Sequence, residues 1–427
     1  MSLLPLTTLA GAYHAGSPRG LVSVCSAHPL VLRAVIQHAR DTDETLLIEA
    51  TCNQVNHEGG YTGRTPKDFA EEVAAILSDE GCPQERVILG GDHLGPNPWR
   101  HLPAQEAMKR AGAMIEAYVA SGFQKIHIDA SMGCAGEPDA LNDTVTAKRA
   151  AELAKHAEAA AATAGVRPPY YVIGTEVPPP GGADHVLEGV ISTQPNAAKR
   201  TFDIHRTAFA AEGLSAAFTR VIGLVVQPGV EFGNQNVMRY DPHAARGLSA
   251  TLTDMRDIIF EAHSTDYQGR SSLIELVRDG YAILKVGPEL TFALREALYK
   301  LDLIASEVSS TYGTRPLYRT MEHLMSDEPT HWNRHYSGAP AALKLMRHYA
   351  LSDRIRYYWD TPTATRAVNH LFETLGNATV PWPVLRQFLP ERELPSGEAL
   401  DPKKVVIRNI LKVLQDYSAA ASQETAS

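Results

Sequence analysis

Asp92 and His93 stand side by side at the end of a short apolar and small-residue run, Val87-Ile88-Leu89-Gly90-Gly91. A carboxylate can move a proton and an imidazole can hold a divalent ion, so the pair sets an acid/base next to a metal ligand. The same two residue types also occur as a helix cap beside an incidental loop histidine. Which reading holds depends on whether the chain delivers other chemistry in the same manner.

Further polar groups follow short β-rich runs all along the chain. These are Ser26-Ala27-His28, Glu49 with Asn53, Gln54, His57 and Glu58, His127-Ile128-Asp129, Thr175-Glu176, Gln227 with Glu231, Glu261 to Asp266, and Lys285-Val286-Gly287. His93, Glu176 and His263 make a two-nitrogen, one-oxygen set of the kind that binds Zn²⁺ or a similar ion and leaves a position open for substrate. Asp92 then serves as the general acid/base beside the metal, with Asp129, Glu137 or Glu58 as its partner. Lone histidines such as His28 and His127 read instead as hydrogen-bonded structure, and Glu49 as a buried network carboxylate. The pairs Gly59-Gly60, Gly90-Gly91 and Gly181-Gly182 either supply turns or let backbone N–H groups approach a phosphate.

The elements that position these groups alternate between β-rich runs and longer helical patterns, which is parallel α/β architecture. The expected strands are 21–25, 46–49, 87–90, 125–129, 170–175, 221–227, 258–262 and 282–286. Helices lie between them. Thr65-Pro66-Lys67-Asp68 carries a capping hydroxyl, a first-turn proline and an acid at the third helical position. Asp241-Pro242 repeats the device before 244–255, the Ala-rich run 144–164 ends at Gly165, and 289–308 is another long helix. Eight such units predict a (β/α)₈ TIM barrel over residues 1–309. A doubly wound sheet is the alternative, and it should carry a glycine-rich nucleotide loop; neither G-x-G-x-x-G nor G-x-x-x-x-G-K-[ST] occurs. Residues 310–427 predict a C-terminal helical extension packed on the barrel, with helices over 341–351 and 403–417 and the last ten residues frayed.

Composition narrows the class of partner. Forty basic against 49 acidic residues leave a net charge of −9, and no basic cluster interleaves with aromatics, so neither nucleic acid nor an anionic membrane surface is expected. Four scattered cysteines form no C-x-x-C pair and read as reduced thiols. The first twenty residues lack the early positive charge and unbroken apolar run of a secretory signal, so a cytoplasmic protein is expected.

Several stretches resemble the GatZ/KbaZ family. They are Ser23 to Pro29 (SVCSAHP), Ile48 to Asn56, Gly59 to Gly63, Gly90 to Asn97 (GGDHLGPN), His127 to Met132 (HIDASM), Gly174 to Pro178 (GTEVP), Val226 to Phe232, Glu261 to Gln268 (EAHSTDYQ), Lys285 to Glu296 and Leu351 to Trp359. The likeness runs from about Gly20 to Trp359. It implies the larger subunit associated with D-tagatose-1,6-bisphosphate aldolase in galactitol and N-acetylgalactosamine breakdown; members are also labelled tagatose-6-phosphate kinases, a label that the missing nucleotide loop disfavours. The family is similar, more distantly, to zinc-dependent class II aldolases. There, an Asp-His pair supplies the proton-transferring Asp and one ligand, matching Asp92 and His93; Glu176 stands where those relatives have a ligand His, and His263 matches a third ligand. Asn53, Gln54 and Lys285, with Ser264, Thr265 and Gly287 in place of the relatives' phosphate loops, complete the expected substrate site.

The leading expectation is therefore a metal-dependent aldolase subunit that converts a ketose (bis)phosphate to dihydroxyacetone phosphate and glyceraldehyde 3-phosphate, working as an oligomer with a separate aldolase subunit as possible partner. A metal-dependent ketose C4 epimerase is the nearest rival, since retro-aldol cleavage and re-addition use the same groups. A non-catalytic stabilising subunit is the third reading.

Overall fold

Each β-rich run becomes a strand because its branched and aromatic side chains are buried on both faces, as parallel barrel strands require. The computed structural model describes residues 4–175, 189–389 and 400–423. Eight parallel strands close into a barrel in chain order. They are β1 (Leu21–Val24), β2 (Leu46–Thr51), β3 (Val87–Leu94), β4 (Lys125–Ile128), β5 (Tyr170–Ile173), β6 (Val221–Val226), β7 (Ile259–Ala262) and β8 (Tyr281–Val286). The (β/α)₈ architecture expected from the sequence is the one found.

The helix ends follow local chemistry. Thr65 accepts from the Asp68 N–H while the Asp68 carboxylate accepts from the Thr65 N–H, a reciprocal capping box. Helix Asp143–Ala164 stops at Gly165, whose φ of 64° suits a residue without Cβ. The Asp241 cap starts a shorter helix than expected: Pro242–Ser249 passes into a 3₁₀ turn, Ala250–Asp254.

After β8 the helix Pro288–Val308 leads into Pro316–Asp327, Pro340–Tyr349, Pro362–Gly376, Trp382–Phe388 and Pro402–Ser422, with no strand among the described residues. The last helix overturns the expected fraying at its described positions. It continues to Ser422, and Ala419 and Ala420 are buried because small side chains let the helix pack on helices Pro29–Thr42 and Arg270–Arg278. Tyr417 donates to the Thr265 carbonyl at 2.8 Å and the Gly20 N–H to the Ala421 carbonyl at 2.8 Å, so the C-terminal turns of this helix are fastened to the barrel. No helix of the described residues is long and apolar enough to cross a membrane.

Candidate active site

The Asp92-His93 pair owes its position to a bulge. Gly91 of β3 faces Ile126 of β4 and Leu94 faces Ile128, so Asp92 and His93 together stand opposite the single residue His127. The strand therefore runs through the pair rather than ending at Gly90. His93 takes a φ of 48°, a left-handed conformation that costs a residue with a side chain about 1–3 kcal/mol and collects at functional sites. Gly90 is neither a turn nor a phosphate approach. A Cβ there would lie 2.5 Å from Oε1 of Glu49, so the glycine leaves room for that carboxylate.

Around the pair the barrel interior is charged. On β4, Lys125 and His127 share the inward face by strand periodicity, with Asp129 just beyond, and on β7 Glu261 leads to His263 in the same way. Lys125 Nζ is 2.9 Å from Glu49 and 2.7 Å from Glu261, with all three side chains fully buried. Lys285 Nζ pairs with Asp92 Oδ1 at 2.7 Å and also contacts Glu49, which accepts from the Ser23 hydroxyl at 2.6 Å. Burial alone would raise the Asp92 carboxyl, but His93, Lys285 and His127 outweigh it and hold the group well below the usual carboxylate range.

Three imidazoles meet at this point. Ring centroids are 4.7 Å apart for His93 and His127, 4.8 Å for His93 and His263, and 5.2 Å for His127 and His263. Each ring is held by an outer partner. His93 donates from Nδ1 to Asp129 Oδ2 at 2.8 Å, His127 from Nε2 to the Gly174 carbonyl at 2.9 Å, and His263 from Nε2 to Glu261 Oε1 at 2.8 Å. A lone pair is thereby left on Nε2 of His93, while Nδ1 of His127 lies 3.2 Å from the His93 backbone nitrogen and 3.0 Å from Asp92 Oδ1. Burial lowers the His127 pKa, which keeps that ring neutral and able to act as a ligand.

These residues fit a divalent cation. Nε2 of His93 is buried without a hydrogen-bond partner, and Asp92 Oδ2 lies 3.9 Å from it, too far to supply one. Ligand atoms of Asp92, His93, His127 and His263 all lie within 4.8 Å of one another. A histidine whose far nitrogen is clamped by a carboxylate is the usual form of a metal-bound imidazole. The formal charges agree: Glu49, Asp92, Asp129 and Glu261 against Lys125 and Lys285 leave 4 − 2 = 2 negative charges in a buried space.

Of the residues singled out in the sequence, Asp92, His93, Asp129, His263 and Lys285 meet here. Glu176 lies outside the described residues, as do Gly181 and Gly182. His127, read as structural, is part of the cluster, while Glu49 is the network carboxylate expected. Glu58 faces elsewhere: it accepts from Trp99 Nε1 at 2.9 Å and pairs with Arg110 at 3.0 Å. Glu137 pairs with Arg149 at 2.6 Å. Thr265 is fully buried, and its hydroxyl donates to the Lys285 carbonyl at 2.6 Å. Ser264 is buried, with φ 52°, and Asn53 is exposed. Gln54 accepts from the Thr51 N–H at 2.9 Å and, with Gly287, lines a cleft beside Cys25. Lys125 and Glu261 went unassigned, although charged residues at alternate positions of a strand that should be apolar were the available signal.

Comparison with known proteins places these features in context. A family model described as D-tagatose-1,6-bisphosphate aldolase subunit GatZ/KbaZ-like matches residues 6–422. A protein of Agrobacterium fabrum named D-tagatose 6-phosphate 4-epimerase is 57% identical over 418 residues, covering 98% of each chain. The crystal structure of a "probable tagatose 6 phosphate kinase" from Sinorhizobium meliloti 1021 is 50% identical, with a TM-score of 0.86, covering 94% of this chain and 100% of that one.

Proposed function

The chain belongs to the GatZ/KbaZ-like family, and we propose that it is a metal-dependent ketose-phosphate C4 epimerase that acts on tagatose 6-phosphate through reversible C3–C4 cleavage. The observation that carries this reading is the buried, ionised Asp92 clustered with His93, His127 and His263. The name of the Agrobacterium fabrum relative supports the epimerase over the aldolase subunit. The kinase label of the Sinorhizobium meliloti protein finds no phosphate-cradling G-x-x-x-x-G-K-[ST] loop here.

The position of the carbonyl in the substrate argues for cleavage. In a 2-ketose the C4 hydrogen is not next to the C2 carbonyl, so its removal gains no stabilisation from that group, whereas breaking C3–C4 does. His93, His127 and His263 would hold the cation, with Glu176 as a further candidate, and the ion would supply Lewis acidity to the ketose oxygens. Asp92 accepts the C4 hydroxyl proton as C3–C4 breaks and returns it once the aldehyde has presented its other face and the bond has re-formed. Lys285 keeps Asp92 ionised and oriented between these two proton transfers. Aldolase and epimerase differ only in whether the aldehyde leaves, so retention of the triose fragment decides the class.

The test is an incubation of the purified chain with tagatose 6-phosphate, followed by separation of ketose phosphates from triose phosphate. Epimer should form, stop with chelator and return with added divalent ion, and Asp92→Asn should lower turnover by about 10²-fold or more. Stoichiometric triose release without epimer would favour the aldolase reading, and full activity in Asp92→Asn would overturn the assignment of Asp92.

A further inference from the structure

We infer that a cleft between the loop after β1 and the helical extension is the seat of the substrate's phosphate monoester, with Arg356 as its cation; this rests on the ketose-phosphate reading above. Cys25, Ser26, His28, Gln54, Gly287 and Arg356 line the cleft. It adjoins the reaction centre, because the Cys25 thiol reaches Asp92 Oδ2 at 3.6 Å.

Arg356 is the telling residue. Nη1 donates to the carbonyls of Ser352 and Asp353, and Nη2 donates to the Tyr357 hydroxyl at 2.9 Å. All of these partners are neutral. The Asp353 carboxylate is engaged by Arg295 at 3.5 Å and by the Thr291 hydroxyl at 2.6 Å, and no carboxylate among the described residues pairs with Arg356. A half-buried guanidinium held in place by neutral acceptors is preorganised for an anion, and its planar fork matches a phosphate.

Neighbouring groups suit the same ligand. His28 accepts from the Leu30 N–H at Nδ1, and burial together with Arg64 lowers its pKa to about 4, so the neutral ring carries its proton on Nε2 as a donor. The start of helix Pro288–Val308 is already satisfied: Asp266 Oδ1 accepts from the N–H groups of Gly287 at 3.0 Å and Glu289 at 2.8 Å. Thr265 has spent its hydroxyl on Lys285. Binding of the phosphate thus falls to side chains around Arg356 rather than to the loops after β7 and β8. Asp360 also lines the cleft and is its one acidic side chain among the described residues, so it opposes an anion there.

The metal-loaded protein, Arg356→Gln, Arg356→Lys and Asp360→Asn should be assayed with tagatose 6-phosphate and with unphosphorylated tagatose. Melting with and without inorganic phosphate supplies a readout independent of turnover. Arg356→Gln should raise KM for the 6-phosphate about 10- to 100-fold with a smaller change in kcat, and erase the preference for the phosphorylated sugar. Arg356→Lys should fall between, Asp360→Asn should lower KM, and phosphate should raise the melting temperature of the unaltered protein but not of Arg356→Gln. A KM for Arg356→Gln within twofold of the unaltered protein, equal phosphate protection of both, or no protection of either overturns the inference. If no ketose phosphate turns over yet Arg356→Gln abolishes phosphate protection, the epimerase reading fails and the phosphate seat stands.

Discussion

Replacing Asp129 by Asn removes the clamp on His93 while changing the shape of the site little. The carboxylate is fully engaged: Oδ2 accepts from His93 Nδ1 at 2.8 Å, and Oδ1 accepts from the Ser131 N–H at 3.1 Å and the Ser131 hydroxyl at 2.6 Å. An amide cannot accept on both sides. With its oxygen toward His93, the NH₂ meets the Ser131 N–H and leaves that donor unpaired. With its NH₂ toward His93, the imidazole must shift its proton to Nε2 and lose the lone pair that faces His127 and His263. Either arrangement should weaken divalent-ion binding by about 10- to 100-fold, which is about 1.4–2.7 kcal/mol. Calorimetric titration of the chelator-treated chain with Zn²⁺, and with Co²⁺ followed by its visible absorption, reads this without reference to activity. An Asp129→Asn protein that binds either ion as tightly as the unaltered chain would refute the tautomer argument, and with it the assignment of His93 as a ligand.

Further outcomes follow from the buried charges. Lys125→Met removes one of the two cations that Glu49 and Glu261 share, leaving only Lys285, and should cost about 3–5 kcal/mol in denaturant unfolding; a loss below about 1 kcal/mol would show that the network does not hold the barrel interior together. Glu289 and Asp266 carry a pH signature. Burial, and then the charge of Asp266, push Glu289 from 4.5 to about 8, while burial pushes Asp266 from 3.8 to about 6. Groups with raised folded pKa values stabilise the fold while protonated, so stability should be greatest near and below pH 4.5 for this pair, fall as pH rises to about 8, and fall no further above it. Glu289→Gln should flatten that slope between pH 6 and 8 in thermal melts and raise the melting temperature at pH 8; an unchanged slope would place the pH dependence elsewhere. Gly90→Ala should disturb Glu49 through the 2.5 Å approach and destabilise the fold by about 1–3 kcal/mol, measured by the same unfolding assay.

Local chemistry explains what the sequence made legible. Strand runs bounded by glycine, the Thr65 capping box and the glycine stop after Ala164 are encoded within a few residues of each other, so the barrel and most helix ends could be read directly. Asp92, His93 and His263 stood out in the sequence because strand ends of a (β/α)₈ barrel hold its chemistry, and the fold brings the three together. His127, read as hydrogen-bonded structure, does bond to Gly174 and Asp92, and it joins the cluster for a non-local reason. Its place opposite Asp92 and His93 depends on a bulge between β3 and β4, and no residue type announces register across a sheet. Glu58 was misassigned for a related reason: it follows a strand in sequence, yet Trp99 and Arg110 draw it to the periphery. The tail at 418–423 looked frayed because Ala and Ser carry little hydrophobic signal, although small side chains are what lets that helix pack closely.

Epimerisation in D₂O examines C3–C4 cleavage most directly. Metal-loaded protein incubated with tagatose 6-phosphate, with the ketose products resolved by ¹H and ¹³C NMR, reports both the configuration and the hydrogen content at C4. Reversible cleavage predicts fructose 6-phosphate that keeps its original hydrogen at C4. Deuterium at C4 in the epimer, or no epimer from the metal-loaded chain, would contradict the account.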